Sequence, residues 1–324
     1  MSHQHQFAFV FPGQGSQSVG MLDTWSFHPQ VKLTLEEASQ ALGEDLGALI
    51  AQGPKETLAL TANTQPVMLA ADVAIYRTWL AEGGQAPVAV AGHSLGEYAA
   101  LVASGVLSLT QAIPLVRFRA QAMQDAVAVG VGAMAAILGM DAKEVEKICH
   151  ELTSESQSKG VQEVVEAVNF NDPMQTVIAG NKALVEMACV VLKDKGAKRA
   201  LPLPVSAPFH STLMKPAADK LKERLASIDF QAPGIPVINN VDVAVYAQSD
   251  KIKDALFRQA YMPVRWVECI QALKVMGIQL MVECGPGQVL SGLTKRIDAS
   301  LESASLKDFA GIESLKDVLK GEFK

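Results

Sequence analysis

At 324 residues the chain is too long for a small stapled scaffold and long enough for two domains, or for one large domain carrying an insertion. With 49% hydrophobic and 19% charged residues it can bury a sizeable core, which excludes general disorder. The 28 Lys+Arg against 34 Asp+Glu leave a net charge of −6, a poor basis for binding nucleic acid, and four scattered cysteines without CxxC spacing read as reduced thiols of a cytoplasmic protein.

The N-terminal MSHQHQ has neither a basic n-region nor a small-residue cleavage motif, so no export signal is expected. The first predicted strand is Phe7–Phe11, followed by the glycine turn Pro12-Gly13-Gln14-Gly15 and helical segments up to about Gly83. An apolar strand at 88–91 runs directly into Gly92-His93-Ser94-Leu95-Gly96 and a helix beginning near Glu97. Residues 98–116 are uncharged and long enough on paper to cross a bilayer. Ser104, Gly105, Ser108, Thr110, Gln111 and Pro114 interrupt them, so two short buried helices joined by a turn are expected and no membrane contact. Strands alternating with helices imply a parallel sheet wrapped by helices.

From 129 to 204 the rhythm changes. A strand at 133–138, a helix at 142–152, strands at 164–170 and 176–179, a helix at 182–195 and a strand at 199–203 spell the β-α-β-β-α-β order of a split βαβ unit. Polar residues 153–159 read as a loop, and Asn171-Asp172-Pro173 as the turn between antiparallel strands. The fold class expected is therefore α/β, with a large parallel-sheet domain (1–128 and 205–324) into which a small subdomain (129–204) is inserted. After the Pro-rich stretch 202–208 come helices near 215–227 and 251–259, a strand near 280–283 and a final helix after Gly287.

Gly92-His93-Ser94-Leu95-Gly96 fits the G-x-S-x-G nucleophile elbow, whose glycines let a strand turn sharply into a helix and expose the serine hydroxyl. The apolar strand before it and the helix after it favour Ser94 as a nucleophile over a plain tight turn. The helix N-terminus offers free N–H groups where an acyl oxyanion would form. A serine near its free pKa needs a base. Of six histidines, His3 and His5 sit on the terminus, His28 in a surface-like segment and His150 on a charged helix. His93 adjoins the serine but points away from it and reads as a structural group behind the elbow, which leaves His210 on its Pro-bounded loop.

Arg119 falls within the apolar stripe Ala112, Leu115, Ala122, Met123 and Ala126, whereas Arg117 faces elsewhere and reads as a surface residue. A guanidinium aimed inward must be paired, either in an internal salt bridge or with the carboxylate of a substrate. The turn at Gln14 lacks the spacing of a nucleotide loop and offers its backbone N–H as a second oxyanion donor. No His, Cys or carboxylate pair has metal-ligand spacing. Two rivals stay open: a serine hydrolase on the same elbow with Asp172 as third triad member, and a non-catalytic module that keeps the elbow as scaffold.

The motifs FPGQGSQSVGM from Phe11, TQPVMLA from Thr64, AGHSLGEYAAL from Ala91, PLPVSAPFHSTLMKPAA from Pro202 and VECGPGQVLSGLTKRI from Val282 together resemble the malonyl-CoA:acyl carrier protein transacylase family of bacterial fatty-acid synthesis. The resemblance runs over nearly the whole chain. It implies a hydrolase-like α/β domain with a ferredoxin-like subdomain, Ser94 as the acylated residue, His210 as its base and Arg119 as the ligand of the malonyl carboxylate. It further implies the N–H groups of Gln14 and Leu95 as the oxyanion hole, and Gln259 as a residue that helps orient the histidine. Phe209 resembles the residue of malonyl-specific members. The partners implied are malonyl-CoA and an acyl carrier protein on a separate chain, with no cofactor beyond the coenzyme A thioester that is itself a substrate. A monomer is expected. Lys193, Lys195, Lys198 and Arg199 offer either a basic patch for an acidic carrier or an ordinary solvated helix end.

Overall fold

Apolar runs bounded by turn residues form two separate sheets in a computed structural model, which describes residues 6–205 and 207–321. His3, His5 and the expectation about export, together with Ser206 of the Pro-rich stretch, lie outside the described residues. In chain order the strands are β1 Phe7–Phe11, β2 Ala89–Gly92, β3 Gly132–Leu138, β4 Val165–Asp172, β5 Gln175–Asn181, β6 Arg199–Pro202, β7 Val237–Ile238, β8 Leu280–Glu283 and β9 Glu302–Ser305.

The first sheet has the order β7-β2-β1-β8-β9 with every pairing parallel. Strand β1, Phe-Ala-Phe-Val-Phe, is buried on both faces, as a parallel strand covered by helices on each side must be. On one face Phe9 stacks edge-on against Tyr76 and Trp79 of the helix Thr61–Ala81, with ring centroids 5.9 Å apart in each pair. That helix is enclosed over most of its circumference, so it has no amphipathic stripe and sits inside the core. On the other face Ala8, Val10, Ala89 and Ala91 pack against Trp266, Ile270 and Leu293.

The uncharged segment at 98–116 resolves as expected into Gly96–Ala103, a left-handed Gly105 (φ 79°), and Leu109–Gln124, which opens with a capping box between Ser108 and Gln111. Among the described residues no helix is long and apolar enough to cross a membrane.

The second sheet is antiparallel throughout, in the order β4-β5-β3-β6. Counted within the β-α-β-β-α-β unit, this places the first and third strands centrally, the ferredoxin-like arrangement expected. The helices Ala142–Ser158 and Lys182–Asp194 bury Val145, Ile148, Leu184 and Ala188 against it. Strand β4 ties this sheet to the rest of the chain. Asn169 bridges to Val264, the Phe170 N–H donates to the Val264 carbonyl (3.0 Å), and Arg296 Nε donates to Asp172 Oδ2 (2.7 Å).

Four local expectations are corrected, and two elements were unforeseen. Residues 153–159 are not a loop: the helix continues to Ser158 and ends only before Gly160 (φ 80°). Their polar side chains face solvent on an otherwise unbroken helix, while Thr153 Oγ1 donates to the Val165 carbonyl at 2.8 Å. The hairpin turn is Pro173–Met174 rather than 171–173, because Asp172 still pairs with Gln175 and its side chain accepts the Met174 N–H at 2.8 Å. His28 is buried, not surface-like: its Nδ1 accepts the Gln30 N–H as a helix cap and its Nε2 lies 3.0 Å from Glu82. The helix after Gly287, Val289–Ile297, is not the last, since β9 and the helix Ala310–Lys320 follow it. Finally β7 and the helix Trp266–Val275 had no counterpart in the sequence reading.

Candidate active site

Strand β2 ends at Gly92, and the chain reverses through His93-Ser94-Leu95 into the helix Gly96–Ala103. Ser94 sits at φ 52°, the left-handed region that an elbow imposes and that L-residues rarely occupy. Two glycines make room for the bend. A Cβ on Gly96 would lie 2.1 Å from the Phe11 carbonyl oxygen, and one on Gly13 would lie 2.5 Å from the His93 carbonyl oxygen. The loop that follows β1 therefore packs directly onto the elbow, bringing Gln14 alongside it.

His210 reaches the elbow from 116 positions downstream, with its Nε2 at 2.7 Å from Ser94 Oγ. Its Nδ1 lies 2.7 Å from the backbone carbonyl of Gln259. A carbonyl only accepts, so Nδ1 carries the proton and Nε2 is left bare to accept the serine hydroxyl. Burial, reinforced by the nearby positive charge of Arg119, pushes the imidazole down to about 3, which keeps it neutral.

Arg119 projects inward from the helix Leu109–Gln124 and is 2% exposed. Its Nη1 donates to Gln65 Oε1 (2.9 Å), and its Nη2 to Gln259 Oε1 (3.0 Å) and Ser94 Oγ (3.2 Å). Its Cζ stands 5.4 Å from the centroid of the Tyr98 ring. The internal salt bridge left open by the sequence is therefore not what holds Arg119; among the described residues its hydrogen-bond acceptors are two neutral amides and the serine. Arg117 faces the surface and donates to Glu44 at 2.6 Å, as expected.

The remaining expected residues are placed as follows. Leu95 is buried as the N-cap of the elbow helix, ahead of Gly96, Glu97 and Tyr98, whose N–H groups are taken by the carbonyls of His93, Ser94 and Leu95. Gln14 is half-buried, its side chain 3.4 Å from Thr61 Oγ1. His93 is a structural group as read: its ring lies edge-on to Trp266 and bonds Asn171 Oδ1 at 2.8 Å. Asp172 is no triad member, since its carboxylate holds Arg296 and the Met174 N–H while His210 Nδ1 is already engaged by Gln259.

Three residues of the site were not singled out from sequence. Asn240 accepts the Ser94 N–H with Oδ1 (2.8 Å) and donates from Nδ2 to the Gly92 carbonyl (2.8 Å), stapling the two ends of the elbow. Glu97 is 2% exposed and accepts from the Asn240 N–H (2.9 Å) and from Gln259 Nε2 (2.8 Å). Burial pushes its carboxyl up to about 7, against the pull of those two hydrogen bonds and of Arg119. Gln65, buried on the core helix, is the third. Glu97 stands out in sequence as a lone charge at the head of an apolar helix, whereas Gln65, after Asn63 and Thr64, and Asn240, after Asn239, carry no such signal.

The two-sheet fold with its elbow after strand β2 is shared with solved malonyltransferases, and the family model described as "Acyl transferase domain" matches residues 8–310. The chain is 54% identical over 304 residues to the malonyl CoA-acyl carrier protein transacylase of Escherichia coli strain K12, covering 94% of this chain and 96% of that protein. A solved acyl-carrier-protein S-malonyltransferase from Burkholderia pseudomallei 1710b is 60% identical, superposes with a TM-score of 0.92 and covers 97% of this chain and 99% of its own. A malonyl-transacylase solved in complex with its type II PKS acyl-carrier protein is 50% identical, with a TM-score of 0.92 over 95% of this chain and 98% of its own. The chain belongs to the malonyl-CoA:acyl carrier protein transacylase family.

Proposed function

We propose that the protein moves a malonyl group from malonyl-CoA to the phosphopantetheine thiol of a separate acyl carrier protein, by a ping-pong cycle through a malonyl ester on Ser94. The observation that carries this reading is the meeting of three groups at one oxygen: Ser94 Oγ is 2.7 Å from the bare Nε2 of His210 and 3.2 Å from the Arg119 fork. In the acylation step the malonyl carboxylate docks on Arg119 and replaces Ser94 Oγ as an acceptor of its Nη2 N–H. His210 Nε2 takes the hydroxyl proton as Oγ attacks the thioester carbonyl. The Nδ1–H bond to the Gln259 carbonyl holds the ring and shares the charge that forms on it.

The oxyanion lies between the backbone N–H groups of Leu95 and Gln14, each such donor contributing about 3 kcal/mol to lowering the barrier. Collapse releases coenzyme A, whose sulfur takes the proton from His210. The carrier thiol then enters by the reverse steps, giving its proton to His210 as it attacks the ester. Every proton and bond in the cycle is handled by these residues, so it calls for no metal or redox group. A monomer working in the cytoplasm, with residues 129–204 as a subdomain beside the site, completes the reading. Supporting transfer over hydrolysis is Arg119 itself: a guanidinium that, among the described residues, donates to no carboxylate suits a charged acyl group, and a lipase-like pocket has no use for it.

Incubation with malonyl-CoA followed by intact-mass measurement tests the proposal. A malonyl adduct that maps to Ser94, persists in buffer and is discharged by holo acyl carrier protein is the expected result. Rapid release of free malonate would establish a hydrolase instead, and absence of any adduct would sink the acyl-enzyme.

A further inference from the structure

The amide of Gln259 is held in one orientation from three sides. Its Nε2 donates to Glu97 Oε2 (2.8 Å) and to the Ser94 carbonyl (3.0 Å), so both of its hydrogens face acceptors. Its oxygen is thereby turned toward Arg119 Nη2 at 3.0 Å. The flipped amide would set NH2 against a guanidinium N–H and oxygen against both a carboxylate and a carbonyl, losing every one of these bonds. Glu97 supplies the carboxyl oxygen of the set, and that oxygen also receives the Asn240 N–H, from the residue that staples the elbow.

The consequence for Arg119 is electrostatic. Its direct partners, Gln65 Oε1, Gln259 Oε1 and Ser94 Oγ, are neutral, and the Glu97 carboxyl stands one hydrogen bond behind Gln259. A carboxylate touching the fork would occupy its bidentate face and compete with an acyl carboxylate. No compensating charge at all would leave a buried guanidinium unsupported. We infer that Glu97 is a specificity-positioning residue: by fixing the Gln259 amide it holds the Arg119 fork in place without capping it, and so sets the preference for acyl groups that end in a carboxylate. The inference rests on the malonyl-transfer reading above and deepens it.

The test uses kcat and KM of the full chain for malonyl-CoA and acetyl-CoA, with holo acyl carrier protein as acceptor. In Glu97→Gln the replacement amide can donate as well as accept, so the Gln259 orientation is held only by the Ser94 carbonyl and Arg119 and is less strictly enforced. KM for malonyl-CoA is expected to rise about tenfold or more with a smaller change in kcat, and the malonyl-to-acetyl ratio of kcat/KM to fall with it. The exchange variant Glu97→Gln/Gln259→Glu restores a donor-acceptor match between the two positions but moves the carboxylate onto the fork, and its malonyl-to-acetyl ratio is expected to fall further still. Equal loss for both substrates in folded Glu97→Gln, or an exchange variant with the parental ratio, overturns the inference. If neither variant accumulates as folded protein, Glu97 is a fold residue and the inference is likewise overturned. Failure of the malonyl-transfer reading is distinguishable, because the parent protein would then show no malonyl preference to lose.

Discussion

Arg119→Met separates the guanidinium's role in binding from its role in the fold. Methionine keeps the unbranched stem in the apolar stripe of the helix Leu109–Gln124 while removing the fork that reaches Gln65, Gln259 and Ser94. A hydrogen bond between charged partners contributes about 1.5–3 kcal/mol, so loss of the acyl carboxylate's contact lowers kcat/KM for malonyl-CoA by about tenfold at the least and a hundredfold or more at the upper end. The dry surroundings, with Arg119 2% exposed, place the effect toward the upper end. A separate cost falls on stability: the Gln65 and Gln259 oxygens lose their donor inside the core, about 1–3 kcal/mol each. The kinetics therefore need a temperature at which circular dichroism shows the variant folded. Side-by-side assays with malonyl-CoA and acetyl-CoA should give a steep fall for the first and a small one for the second. If the two fell by one common factor, the arginine would be serving the scaffold and the carboxylate-docking argument would be refuted.

Other outcomes follow from the same geometry. Asn240→Ala strands the Ser94 N–H and the Gly92 carbonyl, so thermal unfolding should report a loss of about 2–4 kcal/mol, and adduct formation with malonyl-CoA should slow because the elbow is no longer stapled. His210→Asn addresses pH. The folded site holds the imidazole near about 3 against 6.5 in the unfolded chain, so below pH 6.5 the unfolded state binds a proton that the folded site refuses. Stability thus falls as pH drops from 6.5 toward 3, by up to about 1.4 kcal/mol per pH unit from this one group. Chemical denaturation across that window should show a shallower slope for His210→Asn than for the parent, and identical slopes would mean the folded imidazole titrates freely.

Much of the architecture could be read from the chain because its signals are local. The apolar run Phe7–Phe11, the elbow with its flanking strand and helix, and the alternation of strands and helices through 129–204 each declare themselves within a dozen residues. The misreadings have local causes too. Residues 153–159 are polar because they lie on a helix face that meets only solvent, and polarity alone does not distinguish such a face from a loop. Strand β7 has two residues, and β9, Glu-Ser-Ala-Ser, is an edge strand lacking an apolar pattern. Within the site, Ser94, His210 and Arg119 were reachable by motif, elimination and burial stripe. Asn240 was not, since it meets Ser94 across 146 positions and only the pairing of β7 with β2 brings it there. Glu97 was visible as a lone charge at the head of an apolar helix, but its meaning depends on Gln259 arriving between it and the arginine; Gln65, in a polar stretch after Asn63 and Thr64, gave no such signal.

The positive φ angles of Ser94 (52°) and His210 (64°) carry an implication for protein engineering. Each costs about 1–2 kcal/mol that a glycine would not incur, so the two side chains that do the proposed chemistry occupy positions where folding alone would favour having no side chain at all. A library sorted only for heat resistance would drift toward glycine at the elbow and yield sturdier, inert proteins. Selection schemes for this scaffold should therefore screen for turnover in the same round as thermal endurance.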